Sequence, residues 1–328
     1  MALPMKQISL SFLLFTCTLG LESVHAFAPK IGSIANAVES IAKLFKAAGK
    51  APVPADKLDD LAKNLPSGAR TVIEKLAKAS PELRRVATPE FLSFVAKNPE
   101  FASDAAAVLK KFPSEQCGVL LTRLSKESPM YCQKAVKHMA GSCSEETVSL
   151  LARSIDGKTV SNKQILSVVN DFKSIGDNSR TAAEVFEVIA RNQLATGINR
   201  INTGLMKYSR VVEGQYNAIH GIDGIGVALD GRPVLMEFTI DGSKNLAKTE
   251  QLSGAWCAKK WNLLFDANPG LKDELIEAGM KPEHWRKITA DEALKWPRKL
   301  IAPDPRCLNE TNRLASGLDA NDLILLGN

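Results

Sequence analysis

The chain has 328 residues, 45% of them apolar and 24% charged, which excludes a wholly disordered or fibrous protein. Its length suits about two domains, and six cysteines are too few for a disulfide-built scaffold. The formal net charge of +6 permits a polyanionic partner without requiring one.

Charge and aromatic content change along the chain. Residues 27–211 carry 27 Lys and Arg against 18 Asp and Glu, whereas residues 212–328 carry 14 against 17. Trp256, Trp261, Trp285 and Trp296 all fall in the last third. The expected organisation is a signal peptide over 1–26, a basic helical domain over 27–205 and a smaller α/β domain over 206–328, giving an α+β class overall.

Lys6, the apolar run ISLSFLLFTCTLGL and the small residues of Val24-His25-Ala26 form a secretory signal, with cleavage expected after Ala26. The run is shorter than the ~20 residues a spanning helix needs, so a retained anchor is the weaker reading. A lipoprotein signal at Cys17 is weaker too, because Phe15 stands where a small residue belongs. The expectation is a secreted or periplasmic protein with no transmembrane segment in the mature chain. Without Cys17 five cysteines remain, an odd number, so in an oxidising compartment some are expected to pair.

From Ile31 the chain reads as successive helices. Ile31, Ile34, Val38, Ile41 and Phe45 recur at helical spacing. Ser80-Pro81, Thr88-Pro89, Asn98-Pro99 and Ser128-Pro129 place a capping side chain before a first-turn proline, and Ser144 caps a further helix. Nine or ten short helices and no strand are expected as far as residue 205. The basic charge is first of all a solvated outer face, with nucleic acid, anionic lipid or a partner protein as the other reading. His138 has no sequence-local ligand set and reads as structural.

Beyond that, a helix is expected over about 179–195, and another is expected to end near Ile219. GIDGIGVAL then reads as a strand, Asp230-Gly231 as a turn, PVLMEFTI as a second strand, and Leu246 to about Phe265 as a helix. Asp223 and Glu237 are carboxylates on these adjacent strands, and facing one another they make an oxygen site for Mg²⁺ or another hard divalent ion. A two-residue loop would put them on opposite faces; a three-residue loop or a bulge would bring them together. Gly224 and Gly226 lack the third glycine and following helix of a dinucleotide loop. Trp285 and Trp296, flanked by Arg286, Lys287, Arg298 and Lys299, read as an aromatic anchor over the sheet, with base stacking as the alternative. Cys257, though His220 and His284 exist, reads as packing.

The order helix, GIDGIGV, turn, VLMEFTI, break with GSKNL, then a helix with Gln251 and Trp256 resembles the restriction-endonuclease-like PD-(D/E)xK nuclease domains of secreted bacterial toxins, over about residues 205–265. The resemblance implies a mixed sheet, a divalent metal on Asp223 and Glu237, an acidic residue of the preceding helix at Glu213, and a polar site residue at Gln251. It implies nucleic acid as substrate and a host or immunity protein as partner. The lysine of the family's E-x-K falls at Thr239 here, so Lys244, with Lys248 behind it, takes its place as the catalytic cation. The competing expectation is a catalytically inactive scaffold serving as a secreted binding or adaptor module. A third is a helical domain that binds a membrane surface or host partner.

Overall fold

A computed structural model describes residues 53–78, 91–98, 101–112, 115–124, 129–156, 158–175, 180–194, 221–240 and 250–327, with parts of the segments around them. Residues 1–26, where a signal peptide is expected, lie outside the described residues, as do Ile31, Ile34, Val38, Phe45, Lys244 and Lys248. The fold is α+β: helices up to residue 194, then a five-stranded mixed sheet among further helices. Contacts divide the chain into two compact units, Met1–Glu115 and Gln116–Asn328. The compositional change near residue 205 does not coincide with this division.

The first unit contains α1 (Ala55–Ala62), α2 (Ser67–Ala77), α3 (Pro89–Lys97) and α4 (Ala102–Lys111). Each hides an apolar stripe: Leu58 and Ala62 on α1, then Val72, Ile73 and Leu76 on α2, Phe91, Leu92 and Val95 on α3, and Ala105, Val108 and Leu109 on α4. Phe94 and Phe101 add a tilted ring pair at 5.6 Å.

The second unit begins with α5 (Glu115–Leu124), α6 (Pro129–Gly141), α7 (Glu145–Ile155), α8 (Asn162–Lys173) and α9 (Arg180–Leu194). Of the prolines foreseen at helix starts, Pro89 stands first in α3 and Pro129 first in α6, while Pro99 lies outside the described residues. Ser144 caps α7 by accepting from the Thr147 amide, and Ser161 with Gln164 closes a capping box on α8. On α8, Ile165, Val168, Val169 and Phe172 are buried at a helical spacing.

The sheet comprises β1 (Val212–Asn217), β2 (His220–Val227), β3 (Pro233–Phe238), β4 (Arg298–Ala302) and β5 (Leu323–Leu325), in that spatial order. The first three strands are antiparallel; β4 runs parallel to β3, and β5 parallel to β4. The connection from β3 to β4 carries α10 (Gly254–Ala267), α11 (Leu271–Glu277) and α12 (Ala290–Leu294); α13 (Glu310–Ser316) precedes β5. One sheet face meets α9, where Phe186 and Phe238 stack edge-on at 6.3 Å. The other meets α10, where Ile222, Ile225, Val227 and Leu235 pack with Cys257, Trp261 and Leu264. Burial on both faces accounts for the nearly unbroken apolar run of β3, every residue of which is buried.

Two expectations are corrected. The segment before β2 is a strand, not a helix ending near Ile219. The helix expected over Leu246 to about Phe265 begins at Gly254, with Ser253 accepting from the Trp256 amide as its cap. Among the described residues no helix is long and apolar enough to cross a membrane.

Candidate functional site

The β2–β3 hairpin fixes the level of Asp223 and Glu237. Ala228 pairs with Arg232 through Ala228 N–H to Arg232 O at 2.9 Å, leaving Leu229, Asp230 and Gly231 as a three-residue loop. Gly231 sits at φ 86°, the left-handed position such a loop needs and only glycine adopts cheaply. The ladder then pairs Gly224 with Met236, and one step further Asp223 stands level with Glu237. This is the odd-numbered loop that a shared site requires.

A second irregularity redirects Asp223. Ile225 pairs with Val212 and Ile222 with Gly214, so β2 holds one residue more than β1 between these pairs. Ile222 and Ile225 consequently both reach the α10 core. At the bulge the Asp223 carboxylate accepts the Phe238 amide at 2.8 Å, standing where a ladder carbonyl would be. The Asp223 carbonyl in turn accepts from Arg191 Nη1 at 2.9 Å.

Arg191 belongs to α9 and is the centre of an acidic group. Its Nη1 lies 3.6 Å from Glu187 Oε2 and its Nη2 4.0 Å from Glu213 Oε2. Glu184, Glu187 and Arg191 follow at helical spacing on one side of α9. Burial, then the Glu213 and Asp223 charges, push the Glu184 carboxyl up to about 7 against the pull of Arg191. Burial and the Asp223, Glu184 and Glu213 charges hold Glu187 well above the usual carboxylate range, again against Arg191. One guanidinium among four carboxylates leaves an excess of negative charge, and crowded hard oxygen donors of this kind suit Mg²⁺ or Mn²⁺.

Glu213 therefore joins Asp223, but from strand β1 and not from a preceding helix. The acidic residues that do come from a helix are Glu184 and Glu187. The sequence carried their signal, an E-x-x-E-x-x-x-R pattern on a helix already foreseen over 179–195, but nothing in it tied that helix to the strands. The expected pairing of Asp223 with Glu237 is not formed: the bulge offsets the odd loop and turns Asp223 to the α9 face, whereas Glu237, 2% exposed and two residues from Leu235, stays on the α10 face. Its charge acts on Cys257, whose thiol burial pushes up to about 12, with Arg298 opposing and Glu237 reinforcing. Thr239 is buried at the end of this strand, its amide donating to Ile301 O at 3.0 Å.

Gln251 lies in a tight turn before α10, not within the helix. Its neighbours Glu250 and Leu252 have φ of 50° and 62°, unusual for side-chain-bearing residues. Arg298 clamps this turn by donating to the Leu252 carbonyl, and also donates to Ser316 O at 3.0 Å and Gly317 O at 3.2 Å. The Gln251 side-chain oxygen is buried there and meets no hydrogen-bond donor among the described residues.

Trp261 and Trp296 are buried in the core, and Trp256 and Trp285 pack half-buried against it. Trp261 packs edge-on against Trp285 at 5.4 Å and Trp296 at 4.8 Å. Their basic neighbours are engaged: Arg286 pairs with Glu292, Lys287 with Asp266 and Lys299 with Asp322, each within 2.8 Å. Cys117, Cys143, Cys257 and Cys307 are buried thiols, so the pairing expected of the cysteines does not involve these four. His138, expected to stand alone, meets Asp171 and Cys143.

No protein-family model matches this chain, and no solved structure matches it. Among curated proteins it is 27% identical over 217 residues to Hemagglutinin A of Porphyromonas gingivalis, an alignment covering 54% of this chain and 8% of that protein. The chain thus spans less than a tenth of the length of this relative.

Proposed function

We propose that the protein is an exported, metal-dependent phosphodiesterase of the nuclease type, acting as a toxin or effector on nucleic acid. The observation that carries this reading is the grouping of Asp223 with Glu213, Glu184 and Glu187 around one arginine at the end of a hairpin. Asp223, Glu213 and Glu187 would hold a divalent ion, which when bound supplies Lewis-acid polarisation of a phosphate and a more acidic water. Arg191 fixes the Asp223 backbone. Glu184, with its carboxyl near 7, can give or take a proton near neutral pH. Lys244, which follows β3 in the sequence, would supply the cation that Thr239 does not. The cationic excess of residues 27–211 supplies affinity for the polyanion. The resemblance to secreted toxin nucleases also supports a host or immunity protein as partner.

The test is cleavage of a mixed plasmid and RNA substrate by the full chain with Mg²⁺ or Mn²⁺. Asp223→Ala and Glu187→Gln are expected to lower the rate about a hundredfold or more. Cleavage unchanged in both variants would remove the site. Glu237→Ala divides two assignments: retained metal-dependent cleavage leaves the ion with α9 and β1, and lost cleavage in a folded variant brings Glu237 into the set.

A second reading is supported by Thr239 in the lysine position and by Arg191, a built-in cation among the carboxylates. It is a nuclease-like scaffold without catalysis, used as a binding or adaptor module. No cleavage with either metal by folded protein favours it. The likeness to Hemagglutinin A covers too little of that protein to bring an activity with it.

A further inference from the structure

A second constellation lies within the helices of the second unit, apart from the acidic group. His138 is on the last turns of α6, Cys143 in the short turn that follows, and Asp171 near the end of α8. The Ser142 and Cys143 amides both donate to the His138 carbonyl, at 2.9 and 3.0 Å, folding the turn so that the thiol returns beside the imidazole. Ser144 then caps α7, which fixes the turn from its other side. His138 Nε2 lies 3.0 Å from Asp171 Oδ1, and Cys143 Sγ donates to Asp171 Oδ2 at 3.3 Å. All three ligand atoms lie within 4.8 Å of one another. Phe172 packs edge-on against the imidazole at 5.2 Å and holds its plane.

We propose that His138, Cys143 and Asp171 form a zinc-binding site with the fourth position left to water. Around Zn²⁺, bonds of about 2.0 Å to nitrogen and oxygen and about 2.3 Å to sulfur put tetrahedral neighbours roughly 3.3–3.5 Å apart. The nitrogen–oxygen and sulfur–oxygen separations here are already close to that. An imidazole, a thiol and a carboxylate are a borderline-soft donor set that suits zinc over magnesium or calcium. Cys143 is buried, while Asp171 keeps a quarter of its side chain exposed, giving an ion a way in. Binding replaces the thiol proton, which leaves to solvent; the imidazole keeps its own proton on Nδ1 and coordinates through Nε2. The three ligands come from two helices and a capped turn, so the ion would pin α6 to α8.

The test uses the full chain after removal of metals with a chelator, with Co²⁺ as the spectroscopic probe. One equivalent of Co²⁺ is expected to give a thiolate-to-cobalt charge-transfer band, which one equivalent of Zn²⁺ abolishes. The band distinguishes this site from the all-oxygen group around Asp223, which has no thiolate. Cys143→Ser is expected to lose the band, and Asp171→Asn to weaken cobalt affinity about tenfold or more, as even outer-shell losses do. Zinc should also slow alkylation of Cys143 in the native wild-type protein, a readout that needs no variant to fold. Absence of the band in folded wild type, or its persistence in Cys143→Ser, overturns the proposal, as does alkylation that zinc leaves unchanged.

Discussion

Glu184 makes the electrostatics of the site measurable without knowledge of its substrate. Its carboxyl is pushed from 4.5 up to about 7, by burial first and then by the charges of Glu213 and Asp223. Below about pH 4.5 it is protonated in both folded and unfolded chains. Between there and about 7 the folded protein keeps a proton that the unfolded chain has released, so stability falls as pH rises through this window. Glu187, also raised, acts in the same direction. Replacing Glu184 by Gln removes one of these protons. The expected result is a smaller loss of stability between about pH 5 and pH 8 than in wild type, measured by urea unfolding at each pH. Equal pH slopes in the two proteins would remove Glu184 from the group. At the upper pH, Mn²⁺ should recover stability in wild type, because an ion favours the ionised carboxylates. Asp223 was legible as a carboxylate inside a strand. Glu184 and Glu187 were not, because a charged helix position ordinarily means a solvated face, and only the sheet packed on α9 turns it inward.

At the scale of elements, the hairpin shows what one residue decides. The strands and the turn at Asp230-Gly231 follow from composition, but a two- or three-residue loop reverses the face of every side chain on one strand, and the sequence allows both. β1 was less legible still. Val212, Tyr216 and Ile219 fall at helical spacing, and the strand alternation of Glu213, Gln215 and Asn217 runs over too short a segment, with Gly214 on its other face, to outweigh it. The bulge in β2 has its own marker in Gly224. A β-carbon there would stand 2.7 Å from Phe238 Cζ and 2.8 Å from Val211 Cγ1. Phe238 cannot retreat, because it lies against Phe186 of α9. Gly224→Ala is therefore expected to destabilise by about 1–3 kcal/mol and to loosen the Asp223 contact with the Phe238 amide. Denaturant unfolding reports the first effect, and hydrogen exchange at Phe238 the second. A neutral substitution would mean that the bulge is not held by this close approach.

For the whole molecule, the question is where an independently folding piece begins. Composition and charge change near residue 205, yet the sheet depends on helices well before that point. Phe186 of α9 covers Phe238, and Arg191 holds the Asp223 carbonyl. Lys173 donates to the Ile240 carbonyl at 3.0 Å, beyond the end of β3. Asn162, at the start of α8, donates through its side chain to the Pro303 and Leu326 carbonyls, at 2.6 and 2.9 Å, and its amide donates to Gly327 at 2.8 Å. A chain cut at 205 loses one cover of a sheet whose central strand is buried on both faces, exposing Met236 and Phe238. Residues 116–328 are thus expected to give a cooperative thermal transition, and residues 206–328 to give none and to aggregate. Circular dichroism melts of the two fragments decide it; a cooperative transition in the shorter one would return the boundary to 205. The same division changes the meaning of the charge. The cationic stretch 27–211 crosses from one compact unit into the other, so part of it belongs to the fold that holds the acidic group. Salt-dependent nucleic-acid binding should accordingly be measurable on residues 116–328, and not only on the helices before them.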